Sequence, residues 1–164
     1  MLPTDQEGAD LRERDLSGAA LAGANLRRAN LSHALLVRAQ LGRANLTQAE
    51  MRGAVLYEAD LGEADLSEAE LTGAGLERAQ LAFAKLRGAS LVRAGLRNAN
   101  LRDADLAGAD LSKADLGYAN LDRANLRGTV FAGATLWGAV LTNATYDKDT
   151  VWPEGFVPER AIRV

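Results

Sequence analysis

The sequence contains no cysteine and a single histidine, His33. Disulfide bridges and thiolate chemistry are therefore excluded, and a metal site built from His and Cys ligands cannot be assembled. The serine and threonine hydroxyls have no nearby base, and no glycine-rich phosphate loop connects a strand to a helix. The sequence predicts a protein that is not an enzyme and that binds neither a cofactor nor a metal.

Long apolar runs are also absent. Although hydrophobic residues make up 48% of the chain, no stretch approaches the length of a membrane span. The first residues, MLPTDQEGAD, contain no basic segment and no apolar core of the kind that signal peptides carry. We therefore expect a cytoplasmic protein that makes no membrane contact.

Most of the apolar residues belong to one repeated unit of five residues. From Leu11 to Tyr146 the register continues through 28 units without insertion or deletion. We call the leucine position of each unit its centre. The centre is leucine in 25 units, and the exceptions are Met51, Phe131 and Tyr146. Alanine stands two residues before the centre, except at Arg14 and Thr129, so each unit has two apolar positions and three polar ones.

This five-residue period excludes the two regular backbones. On an α-helix, leucines five residues apart would lie about 140° from each other and would form no stripe. On a flat strand, successive pairs of Ala and Leu would point to opposite faces. Both objections disappear if each unit is a short extended piece followed by a corner, which predicts a β-solenoid. All three prolines lie outside the repeats, as expected if the repeat amides bond to neighbouring coils.

Glycine is concentrated at the corner. Nine of the 16 glycines occupy the second position after the centre, where glycine tolerates a tight bend. Because Arg and Glu occupy the same position in other units, we expect a corner that does not require a left-handed backbone.

The segment from Ala99 to Leu121, ANLRD ADLAG ADLSK ADLGY ANL, shows the repeat in its most regular form. Its A(D/N)LXX pattern resembles that of the pentapeptide repeat family, and the resemblance covers residues 9–146. It implies an all-β fold, a right-handed quadrilateral β-helix with four pentapeptides in each of about seven coils. Residues 1–8 would then form an N-terminal lead-in, and residues 147–164 a C-terminal cap.

Four units per coil would sort the outward residues onto four faces. None of them carries charge of one sign, and the net charge of the chain is only −3. This matters because some members of the family resemble B-form DNA and inhibit DNA gyrase, which requires dense, uncompensated negative charge. A DNA-mimicking modulator of gyrase, a type II topoisomerase, therefore stays as the alternative prediction. Nucleic-acid binding through the most basic face is not expected.

An apolar cluster lies on the second face, whose centres are Leu16, Leu36, Leu56, Leu76, Leu96 and Leu116. Leu35 and Val37 occupy outward positions, and Val55 and Tyr57 occupy the same positions one predicted coil later. A contiguous apolar patch can mark a contact site, but simple stacking between coils explains the same alignment. We keep both interpretations of this outward cluster. Other outward aromatic residues are interpreted as incidental: Phe83, Tyr118 and Trp137.

The C-terminal sequence from Asp147, DKDTVWPEGFVPERAIRV, abandons the repeat. A solenoid must cover its last coil, and Trp152, Phe156 and Ile162 are suited to fold back over it. The alternative is a dimer contact, because gyrase-inhibiting members of the family associate through their C-terminal ends, and both roles can coexist. We therefore expect a monomer or a homodimer formed through this end. The segment ATYDKDTVWPEGF also resembles the tails of cyanobacterial members.

Taken together, the repeats predict a non-enzymatic scaffold that presents a rigid surface to an unidentified protein partner. Asp105, Asp110 and Asp115 suggest a calcium site at first sight. They fall on successive faces of the predicted coil and diverge, so we expect solvated carboxylates instead.

Overall fold

Residues twenty positions apart lie side by side in the computed structural model, which describes residues 5–164. Parallel single-residue bridges recur every five residues, from Asp5 with Asn25 to Asn125 with Thr145. Four pentapeptides therefore complete one turn of the chain. The fold is the predicted right-handed quadrilateral β-helix.

Only two continuous strands occur among the described residues, and both lie towards the C-terminus. β1 is Thr145–Tyr146 and β2 is Ile162–Arg163. They pair in parallel, with Thr145 opposite Ile162. Elsewhere in residues 5–164 the pairing is limited to single bridges, because a corner interrupts the extended backbone in every unit. This part of the chain contains no helix.

The core consists of the stacked Leu and Ala positions. From Ala24 to Leu126 every centre, and every alanine two residues before it, is at most 2% exposed. A fully buried leucine contributes about 1.5–3 kcal/mol, so each additional coil adds to stability. The two exceptions in the alanine positions behave differently. Arg14 is exposed at the N-terminal end, whereas Thr129 is fully buried and donates its hydroxyl to Leu106 O at 2.8 Å.

Each corner has a left-handed backbone, and the expectation that none is required is wrong. From Gly8 to Asn143, every residue at the second position after a centre has a φ between 55° and 69°, whether or not it is glycine. The next N–H donates to the carbonyl of the centre, as Ala24 N does to Leu21 O at 3.0 Å, which defines a type II turn. Such a φ costs a non-glycine residue about 1–2 kcal/mol. The ladder hydrogen bond of the same residue, for example Arg38 N to Tyr57 O at 2.9 Å, offsets this cost.

Asp or Asn before the centre completes the hydrogen bonding of a unit. At all fourteen described positions with either residue, the side-chain oxygen accepts the N–H of the residue after the centre. Ser67 N, for example, donates to Asp65 Oδ1 at 3.0 Å, which forms an Asx turn. The other four N–H groups of unit 64–68 bond to backbone carbonyls at 2.7–3.1 Å. The Asp or Asn side chain of a unit therefore accepts the one backbone N–H that has no carbonyl acceptor in the coil.

The regular backbone is already present in residues 5–8, upstream of the first Ala and Leu pair. Gln6 takes the place of a centre, donates its N–H to Asn25 O at 2.7 Å, and accepts the N–H of Ala9 at 3.0 Å. The backbone pattern thus extends one unit further than the apolar pattern.

The C-terminal residues pack against the last turns of the coil. Val151 is bridged to Val130, and the ring of Trp152 stacks on Phe131 with centroids 5.0 Å apart. Phe131 is fully buried, and Tyr146 meets Trp152 edge-on at 5.5 Å. One continuous aromatic cluster therefore joins the last units to the tail, and its members are Phe131, Tyr146, Trp152 and Phe156.

Candidate interaction surface

The structure places the four residues of the outward cluster next to each other on the second face. Leu35 and Val55 form a parallel bridge, and Val37 and Tyr57 occupy the equivalent positions beyond the centres of the same two coils. Leu35 is 41% exposed, whereas the other three side chains are half-buried. The alignment inferred from a spacing of twenty residues is therefore real, while its role in partner binding stays a prediction.

A network of charged side chains borders the outward cluster. Arg38 Nε lies 2.7 Å from Glu58 Oε2, and Arg78 lies 3.4 Å from the other oxygen of the same carboxylate. Hydrogen bonding to Arg38 lowers the pKa of Glu58, and the same contact raises the pKa of Arg38. The guanidinium of Arg78 lies 5.9 Å from the centroid of Tyr57, in cation–π range. Tyr57 is thus held between coils rather than left to rotate freely.

A second aromatic site lies further along the same face. Tyr118 and Trp137 meet edge-to-face with centroids 4.6 Å apart, and we call them the aromatic pair. Trp137 is 68% exposed, and Arg97 lies 6.0 Å from the centroid of Tyr118. Gly138 makes room for this arrangement, since a Cβ there would lie 2.6 Å from Tyr118 Cδ1. The sequence signal was a spacing of 19 residues, which places the two rings on adjacent coils.

Acidic and basic side chains alternate between neighbouring coils. Arg43 pairs with Glu63 at 2.9 Å and lowers the pKa of that carboxyl, and Arg123 pairs with Asp103 at 3.0 Å. All 22 acids lie in residues 5–164, and eleven of them have a base of the same residues within 4.0 Å. Exposed pairs of this kind add only about 0–1 kcal/mol each to stability. Their larger effect is to neutralise the negative potential along the rod.

The three tail residues predicted for a cap or a dimer contact occupy different environments. Trp152 packs on the core, with its Nε1 buried and without a hydrogen-bond partner, and Phe156 lies beside it at 5.4 Å. Ile162 lies in β2 and is 47% exposed. An open groove of about 510 Å³ runs between Phe156 and Trp137, so the tail and the second face meet here. Nothing in this geometry tests a cap or dimer role, which stays a prediction.

No group of three or more His, Asp or Glu side chains in residues 5–164 has the arrangement of a metal site. Asp105, Asp110 and Asp115 form bridges on three successive faces of the coil. Within the same residues, no helix is long and apolar enough to cross a membrane.

Comparison with known proteins identifies the repeat. A family model described as pentapeptide repeats matches in eight copies, over residues 7–38, 34–73, 74–112 and 109–145. No curated protein sequence matches the chain.

Among solved structures, alr5209, a pentapeptide repeat protein from Nostoc PCC 7120, is 39% identical over 61% of this chain and 84% of its own, with a TM-score of 0.60. HetL, from Nostoc sp. strain PCC 7120 and involved in heterocyst differentiation regulation, is 31% identical over 93% of this chain and 84% of its own, with a TM-score of 0.48. QnrB1, a plasmid-mediated fluoroquinolone resistance protein, is 14% identical over 98% of this chain and 89% of its own, also with a TM-score of 0.48. The family match extends from residue 7 to residue 145, most of the chain, and this protein belongs to the pentapeptide repeat family.

Proposed function

We propose that this protein is a non-enzymatic scaffold that binds a protein partner through the outward cluster Leu35, Val37, Val55 and Tyr57. The observation that carries the proposal is the exposure of Leu35 within a contiguous apolar patch. Elsewhere in the regular units the positions flanking the centres are mostly polar, charged or small. The partner is unidentified, and the cytoplasmic location stays a prediction.

Rigidity supports this function. Ladder hydrogen bonds of 2.7–3.1 Å fix the backbone on both sides of Leu36 and Leu56, and both centres are fully buried. The backbone that carries the outward side chains is therefore held before any partner arrives. A preorganised surface loses little conformational entropy on binding, which favours association.

Affinity capture with a single-residue variant tests the proposal. Tyr57→Ser shortens the largest side chain of the cluster, and we expect it to weaken recovery of the partner without changing the unfolding midpoint. Phe83→Ser is the matched control, because Phe83 is an exposed aromatic residue on the neighbouring face. Equal recovery by the native protein and both variants would reject the outward cluster as the contact.

The alternative function, a DNA-mimicking modulator of gyrase, is disfavoured by the charge distribution. Half of the acids have a basic neighbour within 4.0 Å, whereas a site for phosphates selects uncompensated charge. A supercoiling assay separates the two functions. We expect no inhibition of gyrase at high protein concentration, and salt-sensitive inhibition at low concentration would reverse this ranking.

We further propose that residues 147–164 cap the last coil and that the chain is a monomer or forms a homodimer through this end. Trp152 stacked on Phe131 supports the cap. The exposed Ile162 on the short strand β2 supports an additional contact between copies, since a strand at an edge can pair again. Sedimentation of the native chain and of Ile162→Asp distinguishes the two roles, because loss of the dimer without loss of stability is expected only for a contact residue.

A further inference from the structure

The second face carries two separate apolar sites on one side of the rod. The outward cluster lies near the N-terminal end, and the aromatic pair lies further along the rod, with Tyr118 three coils and Trp137 four coils beyond Tyr57. With neighbouring coils about 4.8 Å apart, Tyr57 and Trp137 are separated by about 19 Å along the axis. Of the four large apolar residues that are exposed in the regular units before residue 140, three lie on this face, namely Leu35, Tyr118 and Trp137.

The surface between the two sites has two glycines, Gly75 and Gly95, and one carboxylate that makes no ion pair in the described part of the chain, that of Glu77. This carboxylate lies over both glycines, since a Cβ at Gly75 would lie 3.1 Å from Oε2 and one at Gly95 would collide with Oε1. Within residues 5–164 no basic group lies within 4.0 Å of Glu77. The two arginines beside it are already engaged, Arg78 with Glu58 and Arg97 with Asp115.

We propose that the second face binds an amphipathic α-helix of a partner protein, laid along the rod axis. The helix would have apolar residues at both ends and a lysine or arginine between them for Glu77. This inference rests on the proposed function and deepens it, since it adds the aromatic pair as a second contact and states the chemistry of the partner.

The backbone of the face favours a helix over an extended segment. The ladder N–H groups, such as those of Arg38 and Glu58, already donate to the next coil. The residues after the centre, such as Tyr57 and Glu77, have no Asp or Asn before the centre to accept their N–H groups, and these N–H groups repeat at the coil spacing of about 4.8 Å. The carbonyls along one edge of an extended partner strand repeat every two residues, at about 6.8 Å. Because the two spacings differ, an extended strand cannot accept from these N–H groups in successive coils. A helix satisfies its own backbone and presents one side chain per turn of about 5.4 Å, which nearly matches the coils.

The spacing also sets the length of the helix. A distance of about 19–24 Å, from Trp137 to Tyr57 or to Leu35, corresponds to about 13–16 helical residues. Side chains at the second, fifth, ninth, twelfth and sixteenth positions of such a helix share one face. Apolar residues at the first two and last two of these positions would meet the two apolar sites, and a cation at the ninth would meet Glu77.

A phage-displayed library of sixteen-residue helices, randomised at those five positions and selected on the full chain, tests the proposal. We expect enriched sequences with apolar residues at both ends and Lys or Arg in the middle. Tyr57→Ser and Trp137→Ser should each weaken binding of an enriched peptide at least about tenfold, as expected for aromatic anchors. Phe83→Ser, the control on the neighbouring face, should change it less than about twofold. Glu77→Gln should weaken it about two- to fivefold and remove the preference for a central cation.

Different failures have different meanings. If no sequence is enriched, or if enriched peptides bind Tyr57→Ser and Trp137→Ser as tightly as the native chain, the helix inference is overturned. If capture of the cellular partner depends on Tyr57 but not on Trp137 or Glu77, the inference fails while the proposed function stands. If capture depends on none of these residues, both fail.

Discussion

Leu35 and Leu36 are consecutive leucines with opposite environments, and the same substitution at each is expected to have very different consequences. Leu36 is fully buried in the core, and Leu35 is 41% exposed on the second face. Leu36→Asn removes a buried side chain worth about 1.5–3 kcal/mol and leaves an unsatisfied amide that costs about 1–3 kcal/mol more. We therefore expect the free energy of unfolding to fall by about 2.5–6 kcal/mol, a large part of the total for a domain.

Leu35→Asn places the preferred residue of the repeat at the position before the centre. The new side chain can accept the N–H of Val37 in an Asx turn, which contributes about 0.5–1.5 kcal/mol. The loss of the contact with Val55 costs about 0.2–1 kcal/mol, so the net change should lie within about 1 kcal/mol of zero. Urea unfolding followed by far-UV circular dichroism measures both variants. Similar destabilisation by the two substitutions would refute the register of the coil and the role assigned to Asp and Asn.

Further predictions concern the core and the tail. Leu66→Asp should abolish cooperative unfolding, because it buries a carboxylate among leucines and alanines; a near-normal melting curve would argue against an inward Leu66. Deletion of residues 147–164 should expose Phe131 and cause association or precipitation, and a soluble truncation with an unchanged melting temperature would exclude a cap. Trp152→Phe should change the free energy of unfolding by less than about 1 kcal/mol, because the lost apolar area is offset by removal of the unpaired Nε1 donor. Trp152→Ala should lower it by at least about 2 kcal/mol, and equal losses in the two variants would show that the indole nitrogen has a hydrogen-bond partner in solution. The N–H of Gly128 holds the pKa of Asp147 below its usual value, so this carboxylate stabilises the fold at neutral pH, and its contribution is lost as the pH falls below about 4 and through the folded pKa. Trp152 fluorescence should report this loss, and Asp147→Asn should reduce the acid dependence; an identical pH profile in that variant would contradict the assignment.

The predictions for the tail rest on the fact that the last coil has no further coil to cover it. Inside the rod, each coil covers the next, so Leu66 is buried by leucines and alanines of neighbouring turns. At the C-terminal end we propose that the tail supplies this cover, through Trp152 stacked at an interplanar angle of 3° on Phe131. We expect the last coil to be the first to open when the tail is weakened, since a solenoid depends on contacts between neighbouring repeats.

Much of the fold was predictable because the repeat is local in sequence and uniform in chemistry. A period of five residues excludes both a helix and a flat strand, and the paired Ala and Leu positions name the core. The spacing of twenty residues also placed Leu35 beside Val55 and Val37 beside Tyr57. The same reasoning did not predict the contact between Tyr118 and Trp137, because a spacing of 19 was not recognised as contact between adjacent coils.

Other features depend on contacts between atoms that become neighbours only when the chain coils, so they were decided by the tertiary structure. Arg38 and Glu58 have a left-handed φ because the turn must bend the chain while their N–H groups still donate to the next coil. The conformational preferences of Arg and Glu alone do not predict this φ. The Asx turn of Asp65 depends on the direction in which Ser67 N points once that turn is made. The position of Glu77 over Gly95 depends on two coils lying side by side. The sequence by itself determined which residues are inside, because burial follows a strict period, and its family resemblance assigned the outward residues to four faces. The tertiary structure decided how the corners turn, which charges meet and where the apolar sites lie along the rod, because these depend on distances between coils.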